Sequence, residues 1–198
     1  MEAGLELGAT TKEVMDTLEM FVKKGAVLYM PALIADEFLT FFHSTEDQKR
    51  AHLFLTSIVV RSPKEGSITL PVSVISQLIA ESRERALRGL QIAEEEIIRV
   101  AEKTVGKTYE SKKDFQIGMR DHIRTLRDRY RNATRKGFLD SVADFELILL
   151  SRELSARLVS TDEGVIVWGR QFGVQESTPP VFGARVRELL QKSHQGQG

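Results

Sequence analysis
From Pro71 to Pro179 the chain contains no proline between the two, and that absence constrains the fold more than any other feature. Pro71 itself suits the first turn of a helix. Val72 to about Thr104 then reads as one long helix, and Asp114 to Arg135 as a second, joined near Gly106 and Lys107. The elements on either side are short and of α/β type. Two long charged helices in that setting predict a helical hairpin inserted into a compact domain. The expected division is a core of 1–70 and 137–192, a hairpin over 71–136, and a flexible tail over 193–198.

Within the core, Thr11 to Lys24 carries Val14, Leu18, Phe21 and Val22 at helical spacing, with Thr10 or Thr11 as a start signal and Gly25 as a stop. Ala26 to Met30 reads as a strand ended by Pro31, followed by a helix through Ile34, Phe38 and Phe41 and another over Glu46–Leu55. Ile58 to Arg61 suits an edge strand before the Ser62-Pro63-Lys64-Glu65-Gly66 turn. After Gly137 the pattern returns as helix Ser141–Leu154, strand Arg157–Ser160 and helix Glu163–Phe172. A break at Pro179-Pro180 and a final helix Ala184–Gln191 complete it.

Composition narrows the class. The length of 198 residues suffices for one domain with an insertion. Lysine plus arginine equals aspartate plus glutamate, 28 each, so only the distribution of charge can speak about partners. Cysteine is absent, which excludes disulfides and thiolate metal sites. No apolar run approaches membrane-spanning length, and the first residues lack the basic and apolar regions of a signal peptide. A soluble cytoplasmic protein is expected.

Two patterns carry chemistry. Asp140, Asp144 and Glu146 stand at the opening of one predicted helix, and Asp162 and Glu163 at the opening of the next, with a short strand between. Asp140 and Asp144 are four apart and share a helix face. Carboxylates gathered at strand ends in an α/β layout suit a hard cation that prefers oxygen. The competing reading is capping: Ser141-x-x-Asp144 is a capping box, and Thr161 or Asp162 can cap the following helix. Either position alone suits a cap; both, flanking one strand, favour a metal site.

The second pattern is in the later hairpin helix. Arg120, Arg124, Arg127, Arg131 and Arg135 follow spacings of four, three, four and four and form one stripe. Met119, Ile123, Leu126 and Tyr130 form a neighbouring apolar stripe expected to bury against the first helix. Charged helix faces are usually solvated and mixed in sign. One nearly all arginine, on a rigid helix, suits phosphate oxygens along a folded RNA. Glu37 is either a further acid facing the cluster or an exposed helix residue. The four histidines lack ligand spacing, and no phosphate-binding glycine loop occurs.

Taken together, several segments resemble one family. Asp140-Ser-Val-Ala-Asp144-x-Glu146 and Leu158-Val159-Ser160-Thr161-Asp162-Glu163-Gly164 resemble the acidic core of PIN-domain ribonucleases. Arg61-Ser62-Pro63, Arg88-Gly89-Leu90-Gln91-Ile92-Ala93-Glu94-Glu95, Leu126-Arg127-Asp128-Arg129-Tyr130-Arg131 and Gly137-x-x-Asp140-Ser141 are similar to the minimal protein-only ribonuclease P, also called RNA ligase partner protein. The resemblance runs from about Ala26 to Leu190.

It implies an α/β fold with a PIN-like parallel sheet flanked by helices. It also implies removal of the 5′ leader of precursor tRNA with Mg²⁺ or Mn²⁺ and no RNA subunit, and a large homo-oligomer; no protein cofactor is evident. Asp140, Asp144 and Asp162 match the catalytic, metal-binding acids, and Glu146 stands where an aspartate is usual. Arg127 and Arg131 match the arginines that grip tRNA, with Arg124 and Arg135 beside them on the stripe. The family begins with a strand ending in an aspartate, which this chain lacks ahead of Gly4, so a start-site truncation with weakened catalysis is expected. The alternatives are a non-catalytic RNA-binding or ligase-associated scaffold, and a PIN toxin-like ribonuclease.

Overall fold
Local sequence sets most helix starts. In the computed structural model, which describes residues 5–64, 66, 68–135, 139 and 141–195, helix α1 (Thr11–Lys23) begins where Thr10 accepts from the Glu13 amide. The Glu13 carboxylate reaches back to the Ala9 amide at 2.6 Å, so two otherwise orphaned donors are satisfied. Ser44 caps α3 (Thr45–Ser57) through the Asp47 amide in the same way. Between them lie strand β1 (Tyr29–Met30) and helix α2 (Ala32–Thr40), and β2 (Val59–Val60) follows α3.

The chain forms two compact units: Met1–Thr69 with Leu139–Gly198, and Leu70–Phe138. The second is a helical hairpin, α4 (Val72–Thr104) and α5 (Lys112–Arg135). The first continues through α6 (Val142–Glu153), β3 (Leu158–Val159), α7 (Glu163–Gln171), β4 (Glu176–Ser177) and α8 (Pro179–Gln195). Its apolar centre is Trp168, Phe172, Ile148, Leu150, Leu158, Val165 and Val186. Phe145 meets Phe172 edge-on at 5.7 Å between ring centroids.

The described strands form two separate two-stranded sheets, each parallel, as expected for an α/β unit. β1 runs beside β2 with Tyr29 opposite Val59, and β3 beside β4 with Leu158 opposite Glu176. An apolar cleft of about 440 Å³ is lined by Val27–Met30 and Arg157–Val159, with Phe21, Leu150 and Phe182 among its walls. Val59 donates to the Leu28 carbonyl and Leu158 to the Gln175 carbonyl. Backbone groups alternate sides along a strand, so those of Tyr29 and Val159 point away from these partners.

Several boundaries differ from expectation. The Ala26–Met30 and Arg157–Ser160 strands contract to two residues each, because each pairs on one edge only. Strand β4 is absent from the sequence reading; Glu176 and Ser177 carry no strand pattern and pair only because β3 lies alongside. Pro179-Pro180 does not break the chain. Both prolines form the first turn of α8, where a missing amide donor is harmless. That helix continues to Gln195, past the point where the flexible tail is expected to begin. Gly183 is required on α8: a Cβ there would lie 1.8 Å from the Leu5 carbonyl oxygen.

Candidate functional site
The acidic residues lie at the C-terminal end of β3 and at two helix openings. Leu158–Val159 leads into Ser160-Thr161-Asp162, and Asp162 caps α7 by accepting from the Val165 amide through Oδ1 at 3.0 Å. Its own amide donates to Ser160 Oγ at 3.0 Å. The loop is thus fixed by local polar residues, and only Oδ1 is engaged in the cap. α6 packs against both β3 and α7. Ser141 caps α6 by accepting from the Asp144 amide at 3.4 Å, which places half-buried Asp144 in the first turn. The capping role therefore operates at both openings.

Asp140 lies outside the described residues. Glu146, one turn along α6 and half-buried, accepts from Ser62 Oγ at 3.1 Å. Glu37 is exposed on α2. Among the described residues no three histidine, aspartate or glutamate side chains stand close enough together to hold a metal ion. The donors here are carboxylate oxygens alone, the chemistry of a hard cation such as Mg²⁺ rather than zinc.

An ion pair beside these acids was not apparent in the sequence. Arg61 bonds Glu153, whose other oxygen accepts the Lys64 amide at 2.7 Å. That backbone bond holds the Glu153 carboxyl below its ordinary range; partial burial opposes it, and the Arg61 charge adds to it. Arg152 donates to the Phe172 and Thr69 carbonyls, so α6 is tied on both flanks.

The arginine stripe occupies one exposed face of α5. Arg120, Arg124, Arg127 and Arg131 line a surface groove of about 470 Å³ with Gln116, Ile123 and Asp128. None of the four forms an ion pair with a described residue. The Arg135 side chain lies outside the described set. Arg129 differs: it turns toward α4 and pairs with Glu95 and, at 3.4 Å, with Glu96.

Glu96 is the residue that sequence reasoning missed. Only 3 % exposed, it takes Arg99 at 3.0 Å and Arg129 on Oε2, and lies 3.4 Å from His122 Nδ1 on Oε1. Burial pushes its carboxyl upward, but the His122 hydrogen bond and the Arg99 and Arg129 charges outweigh this and leave it lowered. The available signal was its place among Ile92, Ala93 and Val100, on the inward face of α4. Gly89 on that face admits Tyr130; a Cβ would stand 2.5 Å from its ring. The apolar stripe of α5 is less buried than expected: Ile123 and Tyr130 remain 47 % and 46 % exposed. Between α4 and α5 lies an apolar groove of about 710 Å³ that includes Ile97, Val100, Phe115, Met119 and Leu126.

Comparison with known proteins places these features in a family context. The profile of the PINc domain ribonuclease family matches residues 4–191. The RNA-free ribonuclease P of Hyperthermus butylicus is 35% identical over 177 residues, covering 87% of this chain and 74% of that protein. That of Thermococcus kodakarensis is 34% identical over 194 residues, 96% of this chain and 90% of the relative. That of Alkalilimnicola ehrlichii is 38% identical over 169 residues, 85% and 80% respectively.

Proposed function
The chain belongs to the RNA-free ribonuclease P family of PINc domain ribonucleases, and from that premise we propose that it is an endoribonuclease removing the 5′ leader of precursor tRNA. The observation that carries the RNA-binding half is the row Arg120, Arg124, Arg127 and Arg131, exposed together and without ion-pair partners among the described residues. Each guanidinium offers a planar fork of donors to phosphate oxygens, and a row on one rigid helix can follow a folded backbone. Arg135 continues the stripe in sequence.

Hydrolysis is assigned to the acidic end of the other unit. Asp140, Asp144 and Asp162, with Glu146 in support, would hold Mg²⁺ or Mn²⁺. When bound, such a cation supplies Lewis acidity and offsets charge at the scissile phosphate. Asp162 is suited to holding a fixed orientation, because its cap bond to Val165 restricts its rotamers. Without a cation these carboxylates repel the phosphate, so cleavage should depend strictly on divalent metal. Glu37, exposed on α2, is a reserve acid in this scheme.

We also infer a homo-oligomer acting in the cytoplasm. The exposed apolar residues of the hairpin, such as Ile97 and Ile123, support self-association. No helix among the described residues is long and apolar enough to cross a membrane. The deciding experiment is cleavage of a precursor tRNA with and without Mg²⁺. A product cut at the mature 5′ end, lost with EDTA and lost in Asp144→Asn, is expected. Retained cleavage in Asp144→Asn would remove its carboxylate from the metal site and leave Asp144 only a residue of the capped first turn of α6.

A further inference from the structure
Among the described residues Glu96 is the one charged side chain in the buried set, and nothing in the cleavage chemistry uses it. Its partners on α5 are His122 and Arg129. At about 100° per residue, Arg120, Arg124, Arg127 and Arg131 fall within about 60° of one another around the helix. His122 and Arg129 lie about 180–200° from Arg120 by the same count. Glu96 therefore grips the side of α5 opposite the arginine face.

We propose that Glu96 is a positioning residue for RNA binding: by holding His122 and Arg129 against α4, it sets the rotation of α5 that turns Arg120, Arg124, Arg127 and Arg131 outward together. This rests on the reading of the stripe as an RNA grip.

Stability alone does not explain a carboxylate here. A buried charge is costly to desolvate, and well-packed apolar residues in its place are often neutral or stabilising. What an apolar seam between two helices lacks is a unique rotation and register, which a buried polar group can specify. Apart from Glu96, His122 and Gln116, the groove beside Glu96 is lined by apolar side chains, among them Ile97, Val100, Met119, Ile123 and Leu126. Rotating α5 by one residue would carry Arg129 out of reach of Glu96 and bring stripe members toward the groove. Glu95 and Arg99 complete the set. Glu95 takes the second Arg129 nitrogen, and Arg99 shares Oε2 of Glu96 from within α4.

The test uses the full chain in three forms: native, Glu96→Gln, and Arg129→Gln, which opens the ion pair from the α5 side if the first variant folds poorly. Arginine modification by phenylglyoxal, read residue by residue by mass spectrometry, should find Arg129 protected and Arg124, Arg127 and Arg131 reactive in the native protein. In Glu96→Gln, Arg129 should become reactive and the stripe should lose uniform reactivity. Precursor tRNA should bind roughly tenfold more weakly, with a log–log salt slope shallower by about one unit. Glu96→Asp should recover part of both. An unchanged modification pattern in both glutamine variants overturns the proposal. So does a changed pattern with native affinity and salt slope, which would make Glu96 structural only. Arg127→Ala, run in parallel, separates the premise from the inference: if it too binds normally, the RNA reading of the stripe has failed, and the role of Glu96 falls with it.

Discussion
Asp162 is where an observed helix cap and the proposed metal-holding role can be separated by substitution. Its Oδ1 caps α7, and asparagine at that position caps about as well as aspartate but carries no charge. Asp162→Asn should therefore keep the melting temperature and lose cleavage of precursor tRNA. Asp162→Ala should lose both, with a stability cost of about 1 kcal/mol for the missing cap. Thermal melts paired with a cleavage assay check this. If Asp162→Asn cleaves at the native rate, the residue is a cap and nothing more. Asp144 is a different case, since its amide rather than its carboxylate engages the Ser141 cap.

At the scale of elements, the test falls on α5. The exposed arginines of α5 should act on binding and not on the chemical step. Arg127→Ala combined with Arg131→Ala is expected to weaken tRNA affinity and to lower the log–log salt slope by roughly 0.7–0.9 for each phosphate no longer neutralised. Single-turnover cleavage at saturating enzyme should change little. A native salt slope in the double variant would make the stripe a solvated face.

For the molecule as a whole, each unit carries its own acid-sensitive tie. Glu153 joins α6 to the Arg61–Lys64 segment in one unit, and Glu96 joins α4 to α5 in the other. Both carboxyls are lowered from an ordinary value of 4.5. A group depressed on folding binds its proton more readily when unfolded, so its stabilisation is complete above that ordinary value. It fades as pH falls below 4.5 and through the depressed folded values. Acid titration followed by circular dichroism should show Glu153→Gln less stable than native at neutral pH and flatter in its acid dependence. Equal acid midpoints and equal neutral stability would remove Glu153 from the account.

Local interactions made much of this protein readable in its sequence. Thr10, Ser44, Ser141 and Asp162 cap helices within three residues of themselves, and the proline-free interval gives the two hairpin helices. The arginine face follows from spacing alone, because helical periodicity fixes which side chains are neighbours. Other features depended on residues far apart in the chain. Arg61 meets Glu153 across a separation of 92 residues, and β4 is a strand only because β3 runs beside it. Helical spacing puts Arg129 opposite the stripe, but that Glu95 and the buried Glu96 of α4 receive it there depends on how the two helices pack. Such pairings are set by how elements pack after they form, and no window of neighbouring residues encodes which distant charge will be found there.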